Sequence, residues 1–222
     1  AESTRPGAAQ LSDQEELDRL MPVLEKIIGS VGAIISVDTR KPAVIETALN
    51  LGVTMINSVD ALTTPGALSA LANSECQAAI CLMHMKGEPV TMQQGEIRYN
   101  HIIEDIKATL QERAKLCEQA GIQKDRIVID PGFGFGKTPE HNCIITQQLA
   151  SFCEFGYPVL YGCSRKSTLG HITSKPVDQR LGASIAGAIL AKINGANIVR
   201  VHDVAETVDA FKIVDAVENN YY

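Results

Sequence analysis

Polar residues follow six apolar segments of this sequence, at the points where the segments end. The segments are short and rich in β-branched residues, which is typical of buried strands. The polar residues behind them are Asp38, Asn57, His84, Asp130 with a glycine-rich loop, the run Ser164-Arg165-Lys166-Ser167, and Arg200 with His202. A single aspartate in such a position more often caps a helix or forms a turn. Six polar strand ends in one chain favour a shared site.

Four of these residues suit a flat, hydrogen-bonding heterocycle. A carboxylate such as Asp130 or Asp38 can accept two N–H bonds from an amidine-like ring edge, which in a pocket poor in water selects for both geometry and charge. Asn57 offers a donor and an acceptor, and Lys166 can donate to a ring carbonyl or nitrogen. Together these side chains predict a pocket for a polar ring.

A second set of residues suits an anion with several charges. Arg200 and His202 are two residues apart, so they lie on the same side of an extended segment and can both contact phosphate oxygens. Arg5 is a further candidate for the same anion. Two plainer interpretations stay open: Arg165–Lys166 as a solvated surface pair, and His202–Asp203 as a surface turn.

The common nucleotide-binding motifs are absent. The turn after the first predicted strand reads Asp-Thr-Arg-Lys-Pro (38–42) and lacks the glycines of a dinucleotide-binding fingerprint. The loop 132–138 approaches the phosphate-binding pattern G-x-x-x-x-G-K-T, but the first glycine of that pattern falls on Pro131. No Ser-His-Asp or Cys-His arrangement indicates a covalent nucleophile.

Alternating strands and helices must position these groups. We predict strands over 33–37, 53–57, 78–83, 126–129, 158–162 and 197–201. The predicted helices span 12–29, 42–51, 65–73, 100–120, 139–152, 178–194 and 204–218, and Ser12 with Glu15 has the spacing of a capping box. Such alternation is typical of parallel sheets and barrels, in which the loops at the strand carboxyl ends carry the chemistry.

The favoured architecture is an α/β fold, a (β/α)8 TIM barrel, although only six of its eight strands are predicted. Residues 1–7 are polar and rich in turn formers, as though a strand ended just before them. We therefore expect a single domain over residues 1–222 that lacks the first two strands and first helix of the barrel. An open, doubly wound sheet of six strands is the alternative. On a late helix, the stripe Ile185, Ile189 and Ile193 is expected to pack on the barrel rather than form a dimer contact.

The composition excludes several other classes of protein. The 222 residues include 20 Lys and Arg against 26 Asp and Glu, and the formal charge of −6 argues against a broadly basic face for nucleic acid. No run of 18 apolar residues and no signal-peptide pattern is present, so we expect no membrane partner. The six cysteines form no C-x-x-C pair, which favours packing thiols of a reducing compartment and a cytoplasmic protein.

Six segments of the chain resemble one family. They read ESTRPGA (2–8), SVDTRKP (36–42), CLMHM (81–85), DPGFGFGK (130–137), SRKS (164–167) and RVHDV (200–204). In this order and spacing they resemble the dihydropteroate synthases, (β/α)8 barrels of folate biosynthesis. Each motif alone is weak, but six in register are specific. Ser58 and Ala1 depart from the family pattern, in which an acidic residue and a glycine are common.

The resemblance implies a role for each candidate residue. By similarity, the pterin pocket contains Asp38, Asn57, Met83, Asp130, Phe135 and Lys166. The diphosphate site contains Arg5, Arg200 and His202, and the p-aminobenzoate site contains Thr4, Pro6, Phe135, Lys166 and Ser167. The expected catalytic residues are Asp130, Lys166, Arg200 and His202. No metal ligand is expected in this chain, because the family's metal-contacting Asn belongs to the missing first strand.

The implied reaction condenses 6-hydroxymethyl-7,8-dihydropterin diphosphate with p-aminobenzoate to give 7,8-dihydropteroate and pyrophosphate. Mg²⁺ would neutralise the diphosphate. We expect the C–O bond to the diphosphate to break before the amine attacks, because an electron-rich dihydropterin can share the charge of the methylene cation. The resemblance also implies a homodimer and an enzyme of the kind that sulfonamides target.

Two other functions stay open. The pterin-binding domains of methyltetrahydrofolate:corrinoid methyltransferases resemble this barrel and its Asp and Asn contacts, but they lack the anion-binding residues. A non-catalytic pterin-binding paralogue is the second alternative, and in such a protein the motif residues would be expected to drift.

Overall fold

A computed structural model describes residues 2–3, 9–87, 91–92 and 95–219. Its six strands are β1 Ser36–Asp38, β2 Met55–Ser58, β3 Ala79–Met83, β4 Ile127–Asp130, β5 Leu160–Tyr161 and β6 Ile198–Val199. Its helices are α1 Asp13–Ile27, α2 Pro42–Asn50, α3 Ala67–Ala72, α4 Ile102–Gln119, α5 Pro139–Gln147, α6 Ala150–Cys153, α7 Ser167–Thr173, α8 Leu181–Ile193 and α9 Val204–Glu218. Short 3₁₀ turns cover Lys124–Arg126 and Val177–Gln179. All six predicted strands are confirmed, each within a few residues.

The strands run parallel in chain order. β1, β2, β3 and β4 form one sheet, and β5 pairs with β6. A parallel bridge between Ile129 and Val159 joins the two sheets. At the carboxyl ends, Arg200 Nη2 lies 2.6 Å from Asp38 Oδ2. Because six strands in a flat sheet would place the first and last about 24 Å apart, this contact shows a strongly curved, barrel-like arc.

The alternation of side chains divides the core into two layers. Outward-facing residues such as Ile56, Ile80 and Ile129 are fully buried between the strands and the surrounding helices. Inward-facing residues form a smaller apolar cluster of Met55, Cys81, Val128 and Leu160. The inner layer fills the barrel below the carboxyl-terminal rim, so the rim itself is left to polar side chains.

Local signals explain where α1 and α2 begin. The predicted capping box is confirmed, since the Ser12 hydroxyl accepts from Glu15 N–H at 3.2 Å and the Glu15 carboxylate accepts from Ser12 N–H at 2.8 Å. Pro42 occupies the first turn of α2, where no N–H is needed.

The structure differs from the predicted helices at three places. The helix predicted over 139–152 is interrupted after Gln147 and continues as α6. α7 was not predicted, because Thr168, Gly170 and Ile172 are poor helix formers that tertiary packing overrides. The buried face of α8 consists of Ser184, Ala188 and Ala191, whereas Ile193 of the predicted stripe is 58% exposed.

The cysteines only partly fit the expectation of packing thiols. Cys81, Cys117 and Cys163 are buried, but Cys143 is exposed. None of the helices described above has the length and apolar content that a bilayer crossing requires.

Candidate active site

Inward-facing residues at the carboxyl ends of β1 to β4 form one wall of the barrel mouth. Asp38 is paired in register with Asn57, and Met83 with Asp130. Paired residues of parallel strands point to the same side of the sheet. The structure therefore brings four of the predicted ring-binding residues together on one rim.

Asn57 carries an unsatisfied acceptor. Its side chain is 5% exposed, and its Oδ1 finds no hydrogen-bond donor among the described residues. A buried carbonyl oxygen without a donor costs about 1–3 kcal/mol. Such an atom at the mouth of a barrel is explained if a bound molecule brings the missing N–H.

Asp130 and Lys166 form the charged centre of the mouth. Burial raises the pKa of Asp130, while Lys166 and a 2.7 Å hydrogen bond from the Gly132 N–H to Asp130 Oδ1 oppose that rise. Removal from water lowers the pKa of Lys166 to about 8, against the opposite influence of Asp130. Lys166 Nζ also lies 4.6 Å from the centre of the Phe135 ring. An acidic group and a cation thus face one pocket beside an aromatic surface.

The glycine-rich loop 131–137 is held through three of its carbonyl groups. The Phe133 carbonyl accepts from Lys166 Nζ at 2.6 Å, and the Phe135 carbonyl accepts from Lys137 Nζ at 3.0 Å. The Gly136 carbonyl accepts from the Tyr99 hydroxyl at 3.0 Å. Three glycines of the loop have a positive φ, which other residues rarely adopt: Gly132, Gly134 and Gly136.

His84 and Lys137 form a buried contact that the sequence did not predict. Lys137 is 2% exposed, and its Nζ lies 3.0 Å from His84 Nδ1 and 3.2 Å from the His84 carbonyl oxygen. Burial lowers the pKa of Lys137 to about 7 and that of His84 to about 3. His84, one of the six polar strand ends, therefore packs beneath the loop, and the resemblance of Lys137 to a phosphate-binding lysine is not matched by its position.

Two of the residues predicted to bind an anion follow β6, two strands away from this loop. Arg200 pairs with Asp38, and its side chain is 59% exposed. His202 Nδ1 lies 3.0 Å from the Ser164 hydroxyl. The alternative of a solvated Arg165–Lys166 pair is wrong, since Arg165 binds Asp203 and Lys166 turns into the barrel.

The remaining predicted residues contribute less to the described geometry. Ser167 is exposed and begins α7 directly after Lys166. Thr4, Arg5 and Pro6 lie outside the described residues. Within the part of the chain that the structure describes, no group of three or more His, Cys, Asp or Glu side chains is placed to hold a metal ion.

A second cavity is separate from the mouth. It has a volume of about 730 Å³ and lies outside the barrel, between α5, α7 and α8. Its lining is mainly apolar and includes Ile144, Leu169 and Leu190. Since it lacks the clustered charges of the strand ends, the mouth is the better candidate for the active site.

A curved parallel barrel whose polar strand ends surround one mouth is typical of barrel enzymes. A family model described as pterin binding enzyme matches residues 1–202, so the chain belongs to the pterin-binding enzymes.

Its relatives define the family more narrowly. The chain is 46% identical over 218 residues to the dihydropteroate synthase of Haemophilus influenzae, covering 98% of this chain and 78% of the relative. The chain belongs to the dihydropteroate synthases, which are transferases of folate biosynthesis. This decides against the corrinoid methyltransferases.

Solved structures agree with this assignment and with the barrel. The dihydropteroate synthase of Yersinia pestis in complex with a sulfonamide drug has a TM-score of 0.95 at 44% identity, covering 99% of this chain and 78% of that one. The enzyme of Xanthomonas albilineans in complex with 7,8-dihydropteroate has a TM-score of 0.87 at 40% identity, covering 96% and 77%. The (β/α)8 barrel class is therefore confirmed, and the open doubly wound sheet is wrong.

Proposed function

We propose that the barrel mouth of this chain binds 6-hydroxymethyl-7,8-dihydropterin diphosphate and p-aminobenzoate and joins them to 7,8-dihydropteroate with release of pyrophosphate. The observation that carries this assignment of the site is the buried, unsatisfied Oδ1 of Asn57, which lies on the same inner face of the sheet as Asp130. A pterin ring edge carries N–H donors for Asn57 Oδ1 and for the Asp130 carboxylate, whose Oδ1 already accepts from the Gly132 N–H. We further propose that residues 1–222 act as one domain.

The pterin would lie between the charged centre and the inner wall. Asp130 accepts paired N–H bonds from the amino-pyrimidinone edge, and Asn57 Oδ1 receives a further donor from the ring. Lys166 donates to a ring carbonyl or nitrogen. Met83 and Phe135 supply apolar contact to the ring faces.

Binding of the diphosphate would replace an ion pair that the free site contains. Arg200 binds Asp38 in the structure, and both groups are accessible at the rim. When substrate enters, its diphosphate takes Arg200, and an N–H group of the ring takes Asp38. His202 and Arg5 complete the anion site, and its positive charge stabilises the charge that grows on the departing diphosphate.

p-Aminobenzoate would approach from the side of the loop 131–137. Its ring rests on Phe135 and on the stem of Lys166, whose Nζ lies over the Phe135 ring. Its carboxylate meets the Ser167 hydroxyl, and Thr4 and Pro6 complete the site. The aniline nitrogen is already nucleophilic, so none of the site residues has to act as a strong base. The residues instead hold the two substrates in line while the C–O bond breaks.

Magnesium, quaternary state and location are further parts of the proposal. The described residues do not provide a set of metal ligands, so we derive no step from a metal and propose Mg²⁺ only as the companion of the diphosphate. A homodimer is proposed because Leu190 and Ile193 of α8 are large apolar residues that are 51% and 58% exposed. A cytoplasmic location would suit the free cysteines.

A direct assay tests the function. The protein that contains this chain is incubated with dihydropterin diphosphate and p-aminobenzoate, and pyrophosphate release and dihydropteroate formation are followed together. Equal amounts of both products are expected. Pterin binding without turnover, with both substrates and Mg²⁺ present, would instead support the non-catalytic paralogue.

A further inference from the structure

Two loops of the barrel mouth are joined through two consecutive pairs of residues. On the loop after β5, the Ser164 hydroxyl lies 3.0 Å from His202 Nδ1 and accepts from the His202 N–H at 3.2 Å. The next residue, Arg165, donates from Nε to Asp203 Oδ2 at 3.1 Å and from Nη2 to Asp203 Oδ1. We call these four residues the β5–β6 latch.

Asp203 binds Arg165 instead of capping its own helix. It is the N-cap residue of α9, a position where an aspartate normally accepts hydrogen bonds from its own helix. Its side chain makes no such bond in the structure. The hydrogen bonds from Arg165 instead lower the pKa of Asp203. A carboxylate turned from its own helix to another loop indicates that the link between the loops matters.

The backbone of Arg165 is held in an unusual conformation. Its φ is +58°, in the left-handed region that favours glycine. Its N–H donates to the Ser184 hydroxyl at 3.0 Å, and its carbonyl accepts from Arg180 Nη1 at 2.9 Å. This turn directs the next residue, Lys166, into the barrel, where its Nζ reaches the Phe133 carbonyl. Contacts of both its side chain and its backbone hold Arg165 in this conformation.

We infer that Asp203 and Ser164 are positioning residues, an inference that rests on the proposed function. Through Arg165 and His202 they fix the loop that carries Lys166 relative to the loop that carries Arg200. The ring end and the anion end of the substrate move apart when the C–O bond breaks, so the spacing of these two loops matters more in the transition state than in the binding of a pterin alone.

The matched variants are Asp203→Asn, Asp203→Glu and Asp215→Asn. Asp215 lies on the same helix α9 and makes an ion pair with Lys192 at 2.8 Å, away from the mouth. For each variant we would measure kcat, both KM values, the affinity for 7,8-dihydropteroate and the melting temperature. Asp203→Asn is expected to lower kcat roughly tenfold or more while the affinity for the product changes less than about threefold. Asp203→Glu should recover part of the rate, and Asp215→Asn should match the wild type.

The outcomes separate this inference from the proposed function. Absence of turnover in the wild-type protein overturns the proposed function and this role with it. Turnover in the wild type with unchanged kcat in Asp203→Asn overturns the latch alone. Equal losses of kcat, product affinity and thermal stability would show a merely structural role and also overturn it.

A second variant keeps the test decisive if Asp203→Asn does not fold. Ser164→Ala removes the hydroxyl next to His202 Nδ1, and nitrogen-15 NMR of the His202 ring reports its tautomers. The ratio of tautomers is expected to change, with a fall in kcat. Unchanged ring signals and an unchanged kcat would show that Ser164 does not orient His202.

Discussion

Gly132 has no room for a side chain, and this makes the substitution Gly132→Ala a sharp test of the site. Its φ is +72°, and a Cβ at this position would overlap the backbone carbonyl oxygen of His84. The same carbonyl accepts a hydrogen bond from Lys137 Nζ, which opposes its displacement. Gly121 is the matched control, because its φ is +91° and nothing lies within 4 Å of the point that an alanine methyl would occupy there.

The expected cost follows from these differences. An alanine in the left-handed region costs about 1–2 kcal/mol, part of which is offset by the loss of freedom in the unfolded chain. Gly121→Ala should therefore destabilise by about 1 kcal/mol. Gly132→Ala adds overpacking of about 1–3 kcal/mol and the loss of about 1.5–3 kcal/mol from the bond between its N–H and the Asp130 carboxylate. With partial relaxation of the loop, the total is about 3–6 kcal/mol.

Urea unfolding of both variants at neutral pH measures the difference. The free energy of unfolding of Gly132→Ala should fall at least ~2 kcal/mol further than that of Gly121→Ala, with a similar dependence on urea. Its affinity for the pterin product should also fall, because Asp130 is displaced, while Gly121→Ala binds normally. Equal stability of the two variants would refute the idea that close packing of the loop against His84 positions Asp130.

Three further predictions concern charge. Asp130→Asn should weaken pterin binding by about 1–3 kcal/mol in calorimetry, since paired donors lose a charged acceptor, and wild-type affinity would contradict the assignment. Arg200→Ala should lower kcat more than it lowers pterin affinity, which single-turnover kinetics can separate, and an unchanged rate would remove its role. Burial lowers the pKa of His84 to about 3, so below about pH 6.5 the unfolded chain binds the extra proton and wild-type stability falls by up to ~1.4 kcal/mol per pH unit. His84→Asn should flatten that acid slope in unfolding experiments, and an equal slope would show that His84 is not buried as a neutral group.

The strands and their polar ends were predictable because the signals are local. A short apolar run ending in Asp130 or Asn57 shows both the strand and the rim position. The latch was not predictable, since Arg165 and Asp203 are 38 residues apart in the sequence and an aspartate before a helix indicates a cap. The position of Lys137 was equally unpredictable. A lysine after glycines suggests a phosphate contact, and only the packing of the loop against β3 buries this one.

The ion pair between Arg200 and Asp38 explains how a charged mouth can be stable without substrate and still accept it. Without this pair, like charges at the mouth would repel one another in the free protein, and Arg200 and Asp38 would each lack a partner of opposite charge. Because this pair is accessible at the rim, its net contribution is about 0–1 kcal/mol, and its separation costs little. Asp130 has no such freedom, since it is 6% exposed and fixed by Gly132. The site therefore combines a rigid half, which recognises the ring, with an exchangeable half, which releases Arg200 to the departing anion.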